Sequence, residues 1–203
     1  MSGNAWDQRF SGDDYLYGTE PNDFLREHAQ FLPPGRVLSL AEGEGRNGVF
    51  LAERGYRVVG ADSSAVGLSK ARRLAAERGV EIETHLVDLA ELEIEPRAWQ
   101  GVVSIFCHLP RPVRRRLYRQ VVEGLAPGGV LLLEAYNPAQ LGRGTGGPPV
   151  AELMVDLVSL REDLAGLELL HAVELERDIE EGRLHRGPSA VVQVVARRPV
   201  TKS

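Results

Sequence analysis

Cysteine is almost absent: Cys107 is the single one among 203 residues. That excludes an internal disulfide and any multi-cysteine zinc or iron–sulfur site, and no metal site is predicted. No apolar run approaches the roughly 18 residues needed to cross a bilayer, so no membrane span is expected. The opening Met1-Ser2-Gly3-Asn4-Ala5-Trp6-Asp7 has neither a basic start nor an apolar stretch. No secretory signal is therefore expected, and a reducing cytoplasm is the expected location. Strong positive charge is missing too. A net charge of −5 argues against a general nucleic-acid or anionic-membrane binder. What is there is 43% hydrophobic residues, enough for one buried core in a chain of single-domain size.

Hydrophobic runs and helical patterns alternate from Arg36 onward. Val37-Leu38-Ser39-Leu40-Ala41 breaks into Gly43, Gly45 and Gly48 and continues as Val49 to Arg54, which reads as strand, glycine turn, helix. Tyr56 to Ala61 is a second strand, closed by Asp62-Ser63-Ser64, residues suited to a helix N-cap. Ala65 to Arg78 is a helix ending at Gly79. Further strands are predicted at Glu81 to Val87, Val102 to Phe106 and Gly129 to Ala135, with a basic helix over Pro110 to Gly124. Leu167 to Ile179 and Ala190 to Ala196, joined by Glu181-Gly182-Arg183, form a hairpin. The whole predicts an α/β fold: a doubly wound, Rossmann-like parallel sheet with a C-terminal antiparallel hairpin. One domain spans 1–203, with an N-terminal arm and helix over 1–35, a core over 36–136, and a loop, helix and hairpin over 137–203. The Gly/Pro-rich stretch from Asn137 to Val150 is too long for an ordinary connection and reads as a mobile or functional loop.

Doubly wound sheets bind ligands beyond the carboxyl ends of their strands, where strand order reverses. Glu42-Gly43-Glu44-Gly45-Arg46-Asn47-Gly48 is a G-x-G-x-x-G turn in that position, and Asp62 ends the next strand. The pattern also suits a nicotinamide dinucleotide, whose ribose hydroxyls an acid can accept. A pyrophosphate wants positive potential at such a turn, whereas Glu42 and Glu44 would repel it. A ligand with cationic groups and no phosphate fits better, as S-adenosylmethionine does. The short-chain reductase alternative also wants a Tyr-x-x-x-Lys pair, and Tyr118 is followed by Val122.

Val37 to Asn47 resembles motif I of class I S-adenosylmethionine-dependent methyltransferases. The E-G-E-G-R-N form, with Tyr15-Leu16-Tyr17-Gly18-Thr19-Glu20-Pro21-Asn22 upstream, is similar to the tellurite-resistance (TehB-type) branch. Gly60-Ala61-Asp62-Ser63-Ser64, Val103 to Pro110 and Leu125-Ala126-Pro127-Gly128-Gly129 extend the resemblance through most of the chain. The family has an acid at the position of Ser39 and a glycine at that of Ala41; Ser39 can accept a hydrogen bond and Glu42 can supply the missing charge. A further departure is Gln100, where the family often has an acid.

The resemblance implies that S-adenosyl-L-methionine is bound and S-adenosyl-L-homocysteine released. It implies cofactor contacts from Glu42, Gly43, Glu44, Gly45, Arg46 and Asn47 in the turn, and from Tyr17 of the arm. Asp62 would accept the ribose hydroxyls, with Ser63 flanking the adenine, Asp88 and Leu89 meeting its edge, and Ile105 packing on the cofactor. Tyr15, Tyr17, Trp6 and Phe10 are expected to fold over the cofactor mouth. His185 and Arg186 resemble a segment the branch carries near its active site; an Arg–His pair can bind an oxyanion and handle a proton. His108 is a third catalytic candidate, or simply begins the following helix. Cys107 lacks the Pro-Cys context of covalent base methylation and reads as a buried thiol. Arg111, Arg114, Arg115, Arg116 and Arg119 read as a solvated helix face.

The expected activity is methyl transfer to a small molecule, a metalloid oxyanion (tellurite or selenite) or a thiol. The alternative is a non-catalytic cofactor-binding or scaffolding module. The expected state is a monomer or homodimer, with no nucleic-acid or membrane partner.

Overall fold

The computed structural model describes residues 5–200. Met1 to Asn4, part of the segment read for a secretory signal, and residues 201–203 lie outside the described residues. In chain order the elements are α1 (Ala5–Arg9), α2 (Asp23–His28), β1 (Arg36–Leu40), α3 (Arg46–Glu53), β2 (Arg57–Asp62), α4 (Ala65–Glu77), β3 (Glu83–Leu86) and β4 (Trp99–Ile105). There follow α5 (Arg111–Gly124), β5 (Leu125–Tyr136), α6 (Leu157–Asp163), β6 (Glu168–Glu181) and β7 (His185–Arg197).

The seven strands form one sheet in the order β3-β2-β1-β4-β5-β7-β6. β1 to β5 pair in parallel, and β7 runs antiparallel between β5 and β6. Strand order therefore reverses between β1 and β4, which opens a crevice beyond their carboxyl ends. Side chains alternate across the sheet, so neighbours in one strand serve opposite cores. Val37, Val103 and Leu132 pack under Phe24 and Leu25 of α2 and Phe50 and Leu51 of α3. Leu38, Val102 and Leu131 pack on the other face with Leu117 and Val121 of α5 and Leu160 of α6. Each such buried leucine contributes about 1.5–3 kcal/mol relative to exposure.

Local chemistry sets the element ends. Asn22 caps α2 by accepting from Leu25 N–H, and Ser64 caps α4 by accepting from Gly67 N–H. Gln100 Oε1 accepts the Arg36 N–H at 2.8 Å, so an amide fastens the start of β1. β4 and β5 begin earlier than the hydrophobic runs indicate, because Trp99 pairs with Leu125 ahead of a register shift before Gly101. The 137–150 stretch is organised rather than featureless. Gln140 Nε2 donates to Thr145 Oγ1 and to the Gly146 carbonyl, and Gln140 Oε1 accepts from Ala190 N–H.

The arginines of α5 do not form a wholly solvated face. Arg114 is buried and its Nε donates to Asp163 Oδ2 at 2.8 Å, clamping α5 to α6. A lone buried guanidinium is costly and is tolerated here because it is paired. No helix among the described residues is long and apolar enough to cross a membrane.

Candidate active site

The glycine turn between β1 and α3 is closed by two carboxylates, Asp62 from β2 and Glu42 of the turn itself. Asp62, at the end of β2, accepts the Gly43 N–H through Oδ2 and the Ser64 N–H through Oδ1, each at 2.8 Å. Burial pushes its carboxyl above the ordinary value despite those bonds. Gly45 (φ 98°) has no space for a side chain, since a Cβ would lie 2.6 Å from Ala71 Cα of α4. Ala41 takes φ 51°, the left-handed region, although it carries a Cβ.

Glu42 turns inward. Its Oε1 accepts the Gly48 N–H at 2.9 Å, while Oε2 has no hydrogen-bond partner among the described residues. Burial raises its carboxyl to about 7, opposed by hydrogen bonds from Ser39 and Gly48 and assisted by the nearby Asp62 charge. The acid missing at Ser39 is thus replaced by one bonded to it from three residues on. Glu44 differs. Lys70 Nζ donates to its Oε1 at 2.8 Å and Leu16 N–H to its Oε2 at 2.7 Å. Its charge is matched by Lys70, so the expected repulsion of a pyrophosphate falls on Glu42 alone.

A cavity of about 590 Å³ opens above this turn, within the roughly 300–1,000 Å³ typical of small-ligand sites. Glu42, Gly43, Glu44, Arg46 and Asn47 line it from the turn, and Asp62 and Ser63 from the end of β2. Asp88, Leu89 and Ile105 line the side beyond β3 and β4, and Tyr17, His108 and His185 complete the wall. Asp88 also caps its own turn, accepting from Ala90 N–H at 2.8 Å.

Two expected residues stand apart. Gly45 does not line the cavity, because it is packed beneath against α4. Arg186 is a correction to the expected Arg–His pair: it is exposed and absent from the wall, since adjacent residues of β7 point to opposite sides and His185 takes the inward one. The arm is a partial correction. Trp6 and Phe10 join Tyr17 at the cavity, whereas Tyr15 packs outside it beneath the Lys70 and Arg73 cations.

Arg46 opens α3 and is buried, with Nη2 2.6 Å from Glu181 Oε2 at the end of β6. Its Nη1 has no hydrogen-bond partner among the described residues. Asn47 Oδ1 accepts the Asn22 N–H at 3.0 Å, which ties the arm to α3. The Tyr17 ring packs tilted against that of His185, with centroids 4.6 Å apart, and Arg183 N–H donates to the Leu16 carbonyl at 2.9 Å. Arm and hairpin thus meet over the cavity.

His108 and His185 flank Phe106, which holds φ 51° at the end of β4. Burial holds His108 down to about 4 and His185 to about 3, the latter assisted by the Arg46 charge. Both imidazoles are therefore neutral near pH 7. Cys107 also lines the cavity, but burial pushes its thiol up to about 12 and leaves it inert. Sequence reasoning missed Arg9 and Leu153, which line the cavity, whereas the Gly146-Gly147-Pro148-Pro149 strip that also lines it belongs to the 137–150 loop read as mobile or functional. Among the described residues no three His, Cys, Asp or Glu side chains are grouped to hold a metal ion.

A parallel sheet reversing at a glycine turn, with an acid on the next strand and an antiparallel hairpin at the far edge, defines the class I methyltransferase fold. The family model described as a methyltransferase domain matches residues 37–129. That match marks a methyltransferase domain over this part of the chain, and the fold is the one shared by S-adenosylmethionine-dependent methyltransferases. The chain is 25% identical over 154 residues to a 2-heptyl-1-hydroxyquinolin-4(1H)-one methyltransferase of Mycobacteroides abscessus, covering 74% of this chain and 68% of that one. It is 32% identical over 109 residues to the tRNA 5-carboxymethoxyuridine methyltransferase of Escherichia coli, covering 50% of this chain and 40% of the relative. In structure it resembles TehB from Haemophilus influenzae, with TM-score 0.71, 19% identity, and coverage of 95% of this chain and 65% of that one.

Proposed function

We propose that this chain transfers the methyl group of S-adenosylmethionine to a small-molecule acceptor. The observation that carries the reading is the set of unsatisfied groups at the glycine turn. Glu42 Oε2 and Arg46 Nη1 are buried beside the cavity without partners among the described residues. They are an acceptor for an ammonium and a donor for a carboxylate, the two termini of the cofactor's methionine half. Asp62 keeps lone pairs beyond its two backbone bonds for the ribose hydroxyls. When bound, the cofactor supplies a methyl group already activated by a sulfonium. The chain's own residues supply alignment, water exclusion and the surrounding field.

A small acceptor is supported by the enclosure of the cavity under arm and hairpin and by the acidic balance. The α5 cations are mostly paired, Arg111 with Glu162, Arg114 with Asp163 and Arg116 with Glu93. No broad basic face there suits a nucleic acid, although several relatives act on tRNA. A thiol or metalloid oxyanion remains the soft-nucleophile reading. The quinolone-type relative supports an aromatic acceptor instead. A cytoplasmic protein that is a monomer or homodimer belongs to the same proposal.

Calorimetric titration with S-adenosylmethionine and S-adenosylhomocysteine tests this reading. Micromolar binding of either is expected; none to folded protein sinks it. Binding without transfer to any acceptor would favour the scaffolding alternative, to which the Ser39 and Ala41 departures give support. Fluorescence enhancement of NADH would revive the reductase.

A further inference from the structure

His108 sits between two segments that both border the cavity. It follows β4, and its Nδ1 lies 3.2 Å from the carbonyl of Leu153, just beyond the Pro148-Pro149 strip. A carbonyl oxygen only accepts, so this bond requires the proton on Nδ1. A neutral imidazole has one N–H, which leaves Nε2 as a bare lone pair. That nitrogen is buried and has no hydrogen-bond partner among the described residues. Its ring lies nearly parallel to those of Tyr136 and Phe106, at interplanar angles of 18° and 29°. The fold thus holds an acceptor-only nitrogen, in one tautomer, beside an apolar aromatic wall.

A fixed lone pair discriminates between acceptor classes. It attracts a substrate that brings a proton and repels an oxyanion that brings none. The cation expected to hold an oxyanion, Arg186, faces away. Of the two guanidiniums in the lining, Arg46 pairs with Glu181 and keeps its free Nη1 for the cofactor carboxylate, and Arg9 lies over the Trp6 ring. The nearby walls, from Tyr17, Phe106, Leu109 and Leu184, suit a flat apolar body.

Building on the methyltransferase reading, we propose that the acceptor is an aromatic hydroxyl compound and that His108 Nε2 takes its proton. The hydroxyl oxygen forms the new C–O bond to the methyl carbon as the S–CH3 bond breaks, its electron pair returning to sulfur. The O–H proton passes to Nε2, giving an imidazolium that still donates to Leu153 O through Nδ1. Burial disfavours that imidazolium, so the proton returns to solvent as the product leaves.

The experiment uses the full chain with 2-naphthol, 2-naphthalenethiol and tellurite as probes. 2-Naphthol should be methylated, and His108→Asn should lower kcat on it by about 10²–10³-fold. The same variant should stay within about three-fold on the thiol, which arrives ionised and needs no base. In the wild type, imidazole ¹⁵N resonances should mark Nε2 of His108 as the unprotonated nitrogen, independently of turnover. Equal losses on naphthol and thiol, transfer to thiol or tellurite alone, or transfer to none of the three would overturn the proposal. So would a proton on Nε2. S-adenosylhomocysteine titration of both proteins separates the two readings: retained binding confines any such failure to His108 and the acceptor, while absent binding removes the cofactor site itself.

Discussion

Arg46 Nη2 lies 2.6 Å from Glu181 Oε2, joining the helix beside the glycine turn to the far end of the terminal hairpin. Glu181 Oε1 also accepts from Arg177 and Asn22. Burial works against its charge, but the Arg46 and Arg177 guanidiniums prevail and hold its carboxyl below the ordinary value. Behind it Glu134, fully buried, accepts from Arg177, Gln193 and Asn22. Two carboxylates and two guanidiniums thus balance inside the fold.

Removing one member leaves an uncompensated buried charge. Glu134→Ala should cost about 3–5 kcal/mol, lowering Tm by more than about 6 °C in a domain of this size. Glu134→Gln, which keeps part of the hydrogen bonding, should lose less. An unchanged melting curve for Glu134→Ala would refute the network.

Glu42 titrates near 7 because it is buried. Only its ionised form attracts an ammonium, so cofactor affinity should rise as pH increases from 6 to 8, with proton release on binding. Glu42→Gln should flatten that dependence and weaken binding by about ten-fold. Calorimetry in buffers of differing ionisation enthalpy counts the protons directly. Stability of the free protein should run the other way. A carboxyl raised above its unfolded value stabilises fully below about 4.5 and loses that contribution as pH rises through 7.

Asp62→Asn retains the side chain's shape and removes its charge. Cofactor binding should weaken about ten-fold or more, the scale of a lost charge-assisted hydrogen bond of about 1.5–3 kcal/mol. An unchanged Kd would remove Asp62 from the ribose role.

Ala41 carries a Cβ in a left-handed backbone (φ 51°). Ala41→Gly should leave stability equal or raise it by up to about 1 kcal/mol, strain relief being partly offset by the freer unfolded chain. Ala41→Val should destabilise. Thermal melts of the pair decide the point; a gain from valine would contradict the strain.

His108 and His185 are held neutral by burial, at about 4 and 3. A depressed imidazole contributes its full stability above the unfolded value of 6.5 and loses it as pH falls toward the folded one. The His108→Asn/His185→Asn double variant should therefore lose less stability than the wild type between pH 6.5 and 4.5. Urea titrations across that interval measure the difference.

The alternation of apolar runs with capped helices was enough to read the sheet, its hairpin and the position of the glycine turn. Asp62 and Gly43 were legible for the same reason, since motif and strand end lie close in sequence. The neutralisation of Glu44 was not, because the Lys70 that pairs with it comes from another helix. Arg186 was misread beside His185 although strand alternation separates neighbours. α1, only five residues long, is too short for a periodic signal, and so Arg9 went unseen. The left-handed turn at Phe106 follows from tertiary packing and leaves no trace in residue type.

The arm and the hairpin meet at Leu16 and Arg183. The roof of the site therefore combines a segment synthesised before the glycine turn with one synthesised after all five parallel strands. A nascent chain that has completed β1 to β5 owns the glycine turn and Asp62 but still lacks Glu181 and His185. Ligand binding at the finished cavity is thus unavailable as a folding aid during synthesis, and the charged cluster around Glu134 must assemble without it.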